Sequence, residues 1–82
     1  MELKIFSIFD EKAQIFNSPM FMPHKGEAIR SFSDIVSNPE TLLAKHPEDY
    51  KLYLLDTYDN ISGKVKSLDV PEFLINAADY IV

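Results

Sequence analysis

The chain has 82 residues, a net charge of -5 and no cysteine. This length predicts a single domain over residues 1–82. The lack of cysteine excludes disulfides, thiolate nucleophiles and zinc–thiolate sites, and it is typical of a reducing compartment. The acidic balance disfavours bulk coating of nucleic acid, because that function needs many cations to neutralise phosphates. No run of apolar residues is long enough to predict a membrane-spanning segment, so we expect no membrane partner.

The first predicted element is a strand over residues 2–9, "ELKIFSIF". Its apolar residues alternate between Leu3, Ile5 and Phe9 on one face and Phe6 and Ile8 on the other. Since both faces are apolar, we expect a central strand that is covered on both sides. After a polar break at 10–12, residues 13–22 are again extended. Pro19 cannot donate a ladder hydrogen bond, so it predicts an edge strand, a bulge or a partial loop.

A helix is predicted between Gly26 and Ser37, where the apolar period changes to three and four residues. The apolar stripe consists of Ala28, Ile29, Phe32, Ile35 and Val36. The helix is expected to stop at Asn38–Pro39.

A short second helix is predicted to start at Asn38 as its N-cap, with Pro39 in the first helical position. His46 precedes Pro47 and is therefore disfavoured in helical conformation, which ends this helix. Residues 50–58, "YKLYLLDTY", predict a strand. Residues 59–63 form a hairpin loop, and "KVKSL" at 64–68 returns beside the strand.

The C-terminal segment, "DVPEFLINAADYIV", fits two structures. A helix is favoured by Asp69 and Glu72 around Pro71, which together resemble a helix start. The alternation of Phe73, Ile75 and Ala77 also fits a strand. We favour the helix. The predicted fold is therefore α+β: an antiparallel sheet of about four strands, one main amphipathic helix packed on one face, a short helix and a possible C-terminal helix.

No arrangement of residues predicts catalysis or a cofactor. His24 and His46 are far apart in sequence and each lies near a proline, so both are interpreted as loop residues. The 56–63 segment lacks the alternate carboxylates and the distal glutamate of a calcium loop. The chain has only two glycines, and no glycine-rich phosphate loop is present. We therefore expect a metal-independent protein that is not an enzyme and carries no cofactor.

One candidate binding surface is predicted on the second hairpin. If Tyr58 pairs with Lys64, then Asp56 pairs with Lys66 and Leu54 pairs with Leu68. One sheet face would then combine an aromatic ring with two cations, a composition typical of surfaces that bind single-stranded nucleic acid. The alternative is a solvated face with one cross-strand ion pair. The candidate nucleic-acid or partner face comprises Tyr58, Lys64, Lys66 and Lys51.

Four segments resemble one known family. They are "KIFSIFDEKA" at 4–13, "AIRSFSDIV" at 28–36, "KHPEDYKLYLL" at 45–55 and "YDNISGKV" at 58–65. In this order and at these distances they resemble the small nonstructural protein of gokushovirus-type microviruses, which are single-stranded DNA phages. Asp56 stands where that family commonly has glycine, and the sequence after Ser67 resembles the family only loosely.

The resemblance implies a viral protein that is made in the host cytoplasm and is not part of the virion. It further implies a role in genome replication or single-stranded DNA production, and it supplies no catalytic residues. We expect a non-enzymatic accessory that binds single-stranded DNA, the viral replication initiator or a host protein. The alternative is a protein-binding module without DNA contact. The small acidic domain and its interrupted edge strand also predict a homodimer.

Overall fold

The computed structural model describes residues 1–80. Five strands form its sheet: β1 Glu2–Asp10, β2 Ile15–Phe16, β3 Met20–Met22, β4 Tyr50–Asp59 and β5 Val65–Asn76. Two α-helices, α1 Lys25–Ser37 and α2 Leu42–Lys45, lie between β3 and β4. Short 3-10 turns follow α2 at Pro47–Asp49 and end the described chain at Ala77–Tyr80.

All strand pairs are antiparallel, and β1 and β4 form the centre of the sheet. β2 and β3 both pair with the same edge of β1, whereas β5 pairs with the far edge of β4. The predicted α+β class and antiparallel sheet are confirmed. The sheet has five strands where about four were predicted, because Pro19 divides the second extended segment into two short edge strands.

Helix α1 covers one face of the sheet, as its apolar stripe predicts. Ala28, Phe32 and Val36 of the helix are buried. They pack in one core with Phe6 of β1 and Leu52 of β4, both fully buried. The prediction that β1 is central is confirmed, and its middle is buried on the second face as well, at Ile5 and Ser7. Among residues 1–80 no helix lies on the second face, which we call the open face of the sheet.

The short helix begins later than Asn38 and Pro39 predict, at Leu42. Thr41, not Asn38, is the N-cap of α2, and its hydroxyl accepts a hydrogen bond from the Ala44 amide at 3.2 Å. Asn38 instead ends α1, and its side-chain oxygen accepts from the Glu40 amide at 3.1 Å. The asparagine is used in a turn because its side chain can bond its own backbone two residues on. The predicted end of this helix before Pro47 is confirmed.

The C-terminal segment is a strand, so the favoured helix is wrong. Phe73 pairs with Tyr53 and Ile75 with Leu52 along the free edge of β4. This pairing satisfies backbone groups of β4 that a helix at this position would leave unpaired. The helical part within residues 1–80 is the single 3-10 turn Ala77–Tyr80. Residues 81–82 of the predicted helix lie outside the described residues.

A large bulge interrupts β5 at Pro71. The pairing steps from Leu54–Glu72 directly to Asp56–Ser67. Residues 68–71 therefore stand opposite Leu55 alone. Bulges bend the strand and redirect its side chains, and a proline on an outer strand is tolerated because its missing N–H can face away from the ladder.

Candidate functional site

The observed register separates the predicted hairpin surface. Tyr58 pairs with Val65, and Lys66 pairs with Thr57. The predicted pairing of Tyr58 with Lys64 and of Asp56 with Lys66 is thus wrong by one residue. Because successive side chains point to opposite faces of a sheet, Tyr58 and Lys66 lie on opposite faces. The combination of one ring and two lysines on a single face does not form.

The other two predicted residues also take separate positions. Lys64 lies just before β5, and its carbonyl accepts a hydrogen bond from the Asp59 amide at 2.9 Å. Lys51 lies on the open face, two positions before Tyr53 in β4. Its ammonium group forms an ion pair with Glu11 at 2.8 Å. Of the four predicted residues, Tyr58 and Lys51 therefore share the open face, at opposite ends of β4.

The open face carries most of the aromatic residues of the sheet. Phe9 and Phe16 contact each other with ring centroids 4.7 Å apart, and both contact Tyr53, at 6.1 and 5.8 Å. Tyr53 also contacts Phe73 at 5.9 Å. We call these four residues the aromatic cluster. Its pairs are tilted or edge-to-face, which are favourable geometries for aromatic rings.

A further ring pair extends the aromatic surface towards the hairpin end. Phe21 of β3 and Tyr58 of β4 contact edge-to-face at 5.8 Å. Between this pair and the aromatic cluster, Ile5 and Ser7 of β1 are buried. The Ser7 hydroxyl donates to the Asn17 carbonyl at 2.6 Å, so this polar group is satisfied beneath the rings.

Much of this surface is exposed. Of the ten large apolar residues that are exposed among residues 1–80, five lie on the open face or line its cleft. These five are Phe16, Phe21, Val65, Val70 and Phe73. Scattered apolar side chains are normal on a protein surface, but a contiguous group of them indicates an interaction site.

A small cleft lies at one end of the open face. It has a volume of about 260 Å³ and is lined by Phe9, Phe16, Tyr53, Val70 and Pro71. The bulge in β5 supplies the last two residues, and the aromatic cluster supplies the others. Its lining is apolar, and it is smaller than the pockets of about 300–1,000 Å³ that hold drug-sized ligands. The cleft matches one side chain or one base rather than a larger molecule.

Two of these rings, Phe73 and Phe9, occupy positions that the sequence pattern does not predict. Phe73 lies in the segment for which the sequence favours a helix, so its position opposite Tyr53 is not expected from the sequence. Phe9 was interpreted as buried because β1 is apolar on both faces. Alternation gives no signal for the whole surface, because Tyr53 and Tyr58 are five residues apart and would fall on opposite faces of a regular strand. The irregularity at Leu55, where the pairing steps from Phe6–Leu54 to Ile5–Asp56, brings both to the open face.

A second cleft, of about 660 Å³, is more polar. It lies where α2, the first 3-10 turn and the end of β1 meet, and its lining includes Asp10, His46, Glu48, Asp49 and Tyr50. Burial raises the pKa of the Tyr50 hydroxyl, and the neighbouring Asp10 carboxylate raises it further. Ligand atoms of His46, Glu48 and Asp49 lie within 4.8 Å of one another, a spacing that could admit a metal ion. His46 and Glu48 are exposed, and exposed carboxylates commonly group without a metal.

Comparison with known proteins gives one match. A family model described as Phage ORF5 protein matches residues 3–80. The chain belongs to the Phage ORF5 protein family. It is therefore a phage protein, and this membership indicates an accessory role in the phage. The match includes β5, the part of the chain whose resemblance to a family was loosest.

No curated protein and no solved structure matches the chain. Within residues 1–80, no helix has the length and apolar character that a membrane crossing requires.

Proposed function

We propose that this phage protein is a non-enzymatic accessory that binds a protein partner through the open face of its sheet. The observation that carries the proposal is an aromatic surface with little charge. Lys51 and Asp56 are the charged residues at paired positions of this face, and Lys51 is already paired with Glu11. Cores of protein interfaces are enriched in aromatic residues and depleted of charged ones.

The partner that we propose belongs to phage genome replication. The four motifs resemble the nonstructural protein of gokushovirus-type microviruses, and that resemblance supports a replication initiator or a host factor as partner. It also supports action in the host cytoplasm, outside the virion. The proposal includes no cofactor and no membrane contact.

Single-stranded DNA is the second candidate partner. The observation in its favour is the display of rings on an open sheet face, on which bases could stack. The cation content is the argument against it, because phosphate contacts supply most of the affinity of such complexes. Lys66 lies on the other face, Lys51 is ion-paired, and the chain has a net charge of -5. A protein partner is therefore the better fit.

Self-association is part of the same proposal. A second copy can cover the open face of the free chain as a homodimer. Two chains that each carry a charge of -5 repel each other. The homodimer is consequently weak, and a partner with a better charge match displaces it.

Site-specific photo-crosslinking in infected cells tests the function. A photoreactive phenylalanine analogue replaces Phe73 on the open face, and the matched control carries it at Ile61 in the hairpin loop, since both side chains are exposed. We expect a protein adduct from position 73 that is absent from position 61. Phe21→Ser, at the other end of the face, should reduce the yield of that adduct.

Three outcomes would overturn the proposal. Equal adducts from both positions would show nonspecific capture. An adduct that nuclease removes would assign the face to nucleic acid. An adduct that contains this chain alone would show that a second copy of the chain, and no other protein, occupies the open face.

A further inference from the structure

We infer that the small cleft between the aromatic cluster and the β5 bulge anchors one apolar side chain of a partner segment that carries flanking lysine or arginine residues. This inference rests on the proposed function and specifies the chemistry of the partner. It assigns a role to the bulge, whose residues have no partner in the ladder and do not belong to the core cluster.

The shape of the cleft supports a single apolar anchor. Three rings form one wall, and Val70 and Pro71 form the other. Val70 is 75% exposed in the free chain, so its burial by a partner would remove apolar area from water. Binding energy in protein interfaces is concentrated in a few such anchors that fill desolvated pockets.

The charges around the cleft support basic flanking residues. Asp69 directly precedes Val70, and Asp56 lies on the same open face. Neither carboxylate forms an ion pair among the described residues 1–80. The nearby Lys51 is neutralised by Glu11 at 2.8 Å. The surroundings of the cleft are thus negative, and complementary charge on the partner would favour binding and its rate.

A matched set of peptides tests this chemistry. The probe is acetyl-Lys-Lys-Phe-Lys-Lys-amide, titrated into the isotope-labelled full chain while amide NMR shifts are followed. One control peptide has alanine in place of phenylalanine, and the other has glutamates in place of the lysines. We expect the shifts to centre on the cleft, with affinity about tenfold or more weaker for each control.

Variants of the chain locate the binding site. Val70→Asn should weaken binding of the phenylalanine peptide by about three- to tenfold, because one wall of the cleft loses its apolar contact. Phe16→Ser should weaken it similarly, and the amide spectrum of each variant shows whether the fold is kept. Ile61→Asn is the matched control: Ile61 is 85% exposed and lies outside the cleft, so its variant should bind like wild type.

The remaining outcomes separate the cleft from the face. If Phe21→Ser weakens the peptide and Val70→Asn does not, the open face binds but the cleft assignment is wrong. If no peptide shifts the cleft amides, the inference fails, while the crosslinking experiment still decides the proposed function. If oligothymidylate displaces the peptide and shifts the same amides more strongly, the occupant is a nucleic-acid base and the inference fails.

Discussion

Phe32 is the residue on which the stability of the helix–sheet core most depends. It is fully buried in the middle of the α1 stripe, and its ring lies 6.1 Å from that of Tyr80. Phe32→Ala should cost about 3–5 kcal/mol, because it removes a large apolar side chain and leaves a cavity. A domain of this size is stable by about 4–12 kcal/mol, so the variant should lose a large share of its stability and, at the lower end of this range, be largely unfolded.

Urea unfolding followed by circular dichroism measures this effect. Phe21→Ala is the matched control: it deletes the same ring from the open face, where Phe21 is 52% exposed. This control should lose clearly less stability. Similar losses in both variants would contradict the asymmetry between the covered and the open face.

Asp59 gives the hairpin loop an acid-sensitive contribution to stability. The backbone amide of Ile61, at 3.0 Å, and the hydroxyl of Ser62, at 2.9 Å, donate to its carboxylate. These bonds favour the charged form and lower the pKa of Asp59 below its usual 3.8. A carboxyl whose pKa is depressed on folding stabilises the fold above its unfolded pKa, and the contribution is lost as pH falls through the folded value.

Asp59→Asn should therefore destabilise the protein at pH 7, and the difference from wild type should shrink as the pH falls below 3.8. Urea unfolding across this pH range measures the trend. Asp69→Asn is a suitable control, since its carboxylate accepts no hydrogen bond within residues 1–80. A difference between Asp59→Asn and wild type that stays constant with pH would show that the loop bonds do not depend on the charge.

At the scale of elements, the helix and the strand boundaries that depend on residues close together in sequence could be predicted from the sequence. The spacing of Ala28, Phe32 and Val36 predicted α1 to within one residue at its start, because one face of the helix must meet the core. The break at Pro19 and the start of β4 after Pro47 also follow from local chemistry. Each of these residues determines the conformation of its own segment, so that conformation can be predicted without knowing which distant residues the segment contacts.

Elements that depend on distant pairing could not be predicted in the same way. The apolar residues around Phe73 fit both the helical and the strand period. The segment is a strand because it pairs with the free edge of β4, some twenty positions earlier in the chain. The register of the second hairpin likewise depends on where its loop closes. There Gly63 has a positive φ of 77° and Asp59 pairs with Lys64. Because the observed register differs by one residue from the predicted one, Lys66 lies on the opposite face from Tyr58, and the candidate surface could not be obtained from sequence.

The turn after α2 carries the prediction of metal independence. One ion could be approached by ligand atoms of His46, Glu48 and Asp49. Because His46 and Glu48 are exposed, however, the protein would hardly enclose such an ion. We expect a chelator to change the melting temperature by less than a few degrees in otherwise identical buffer. His46→Ala should melt like wild type with and without added zinc. A chelator-sensitive melting temperature that His46→Ala abolishes would show that this turn holds a metal.

The whole molecule combines an acidic surface with one apolar sheet face. A rise in salt concentration should therefore strengthen self-association through the open face and weaken any binding of single-stranded DNA. Self-association through the open face opposes two charges of -5, and salt screens that repulsion. Sedimentation equilibrium should therefore show a species heavier than the 9.4 kDa chain that becomes more populated as salt rises from 50 to 200 mM. Phe73→Ser should shift the equilibrium towards monomer by about tenfold or more, whereas Ile61→Asn should leave it unchanged.

Binding of single-stranded DNA would weaken under the same change of salt. Two or three phosphate contacts give a log–log slope of about -1.4 to -2.1, which is a loss of roughly 7- to 18-fold between these two salt concentrations. Fluorescence anisotropy with a labelled oligonucleotide measures it, and we expect no binding by wild type at 50 mM salt and high micromolar protein. Binding that falls along this slope, and that Tyr58→Ala weakens by about 1–3 kcal/mol, would assign the open face to DNA. A chain that sediments only as a 9.4 kDa monomer at every salt concentration would remove the homodimer and leave the open face to a different protein.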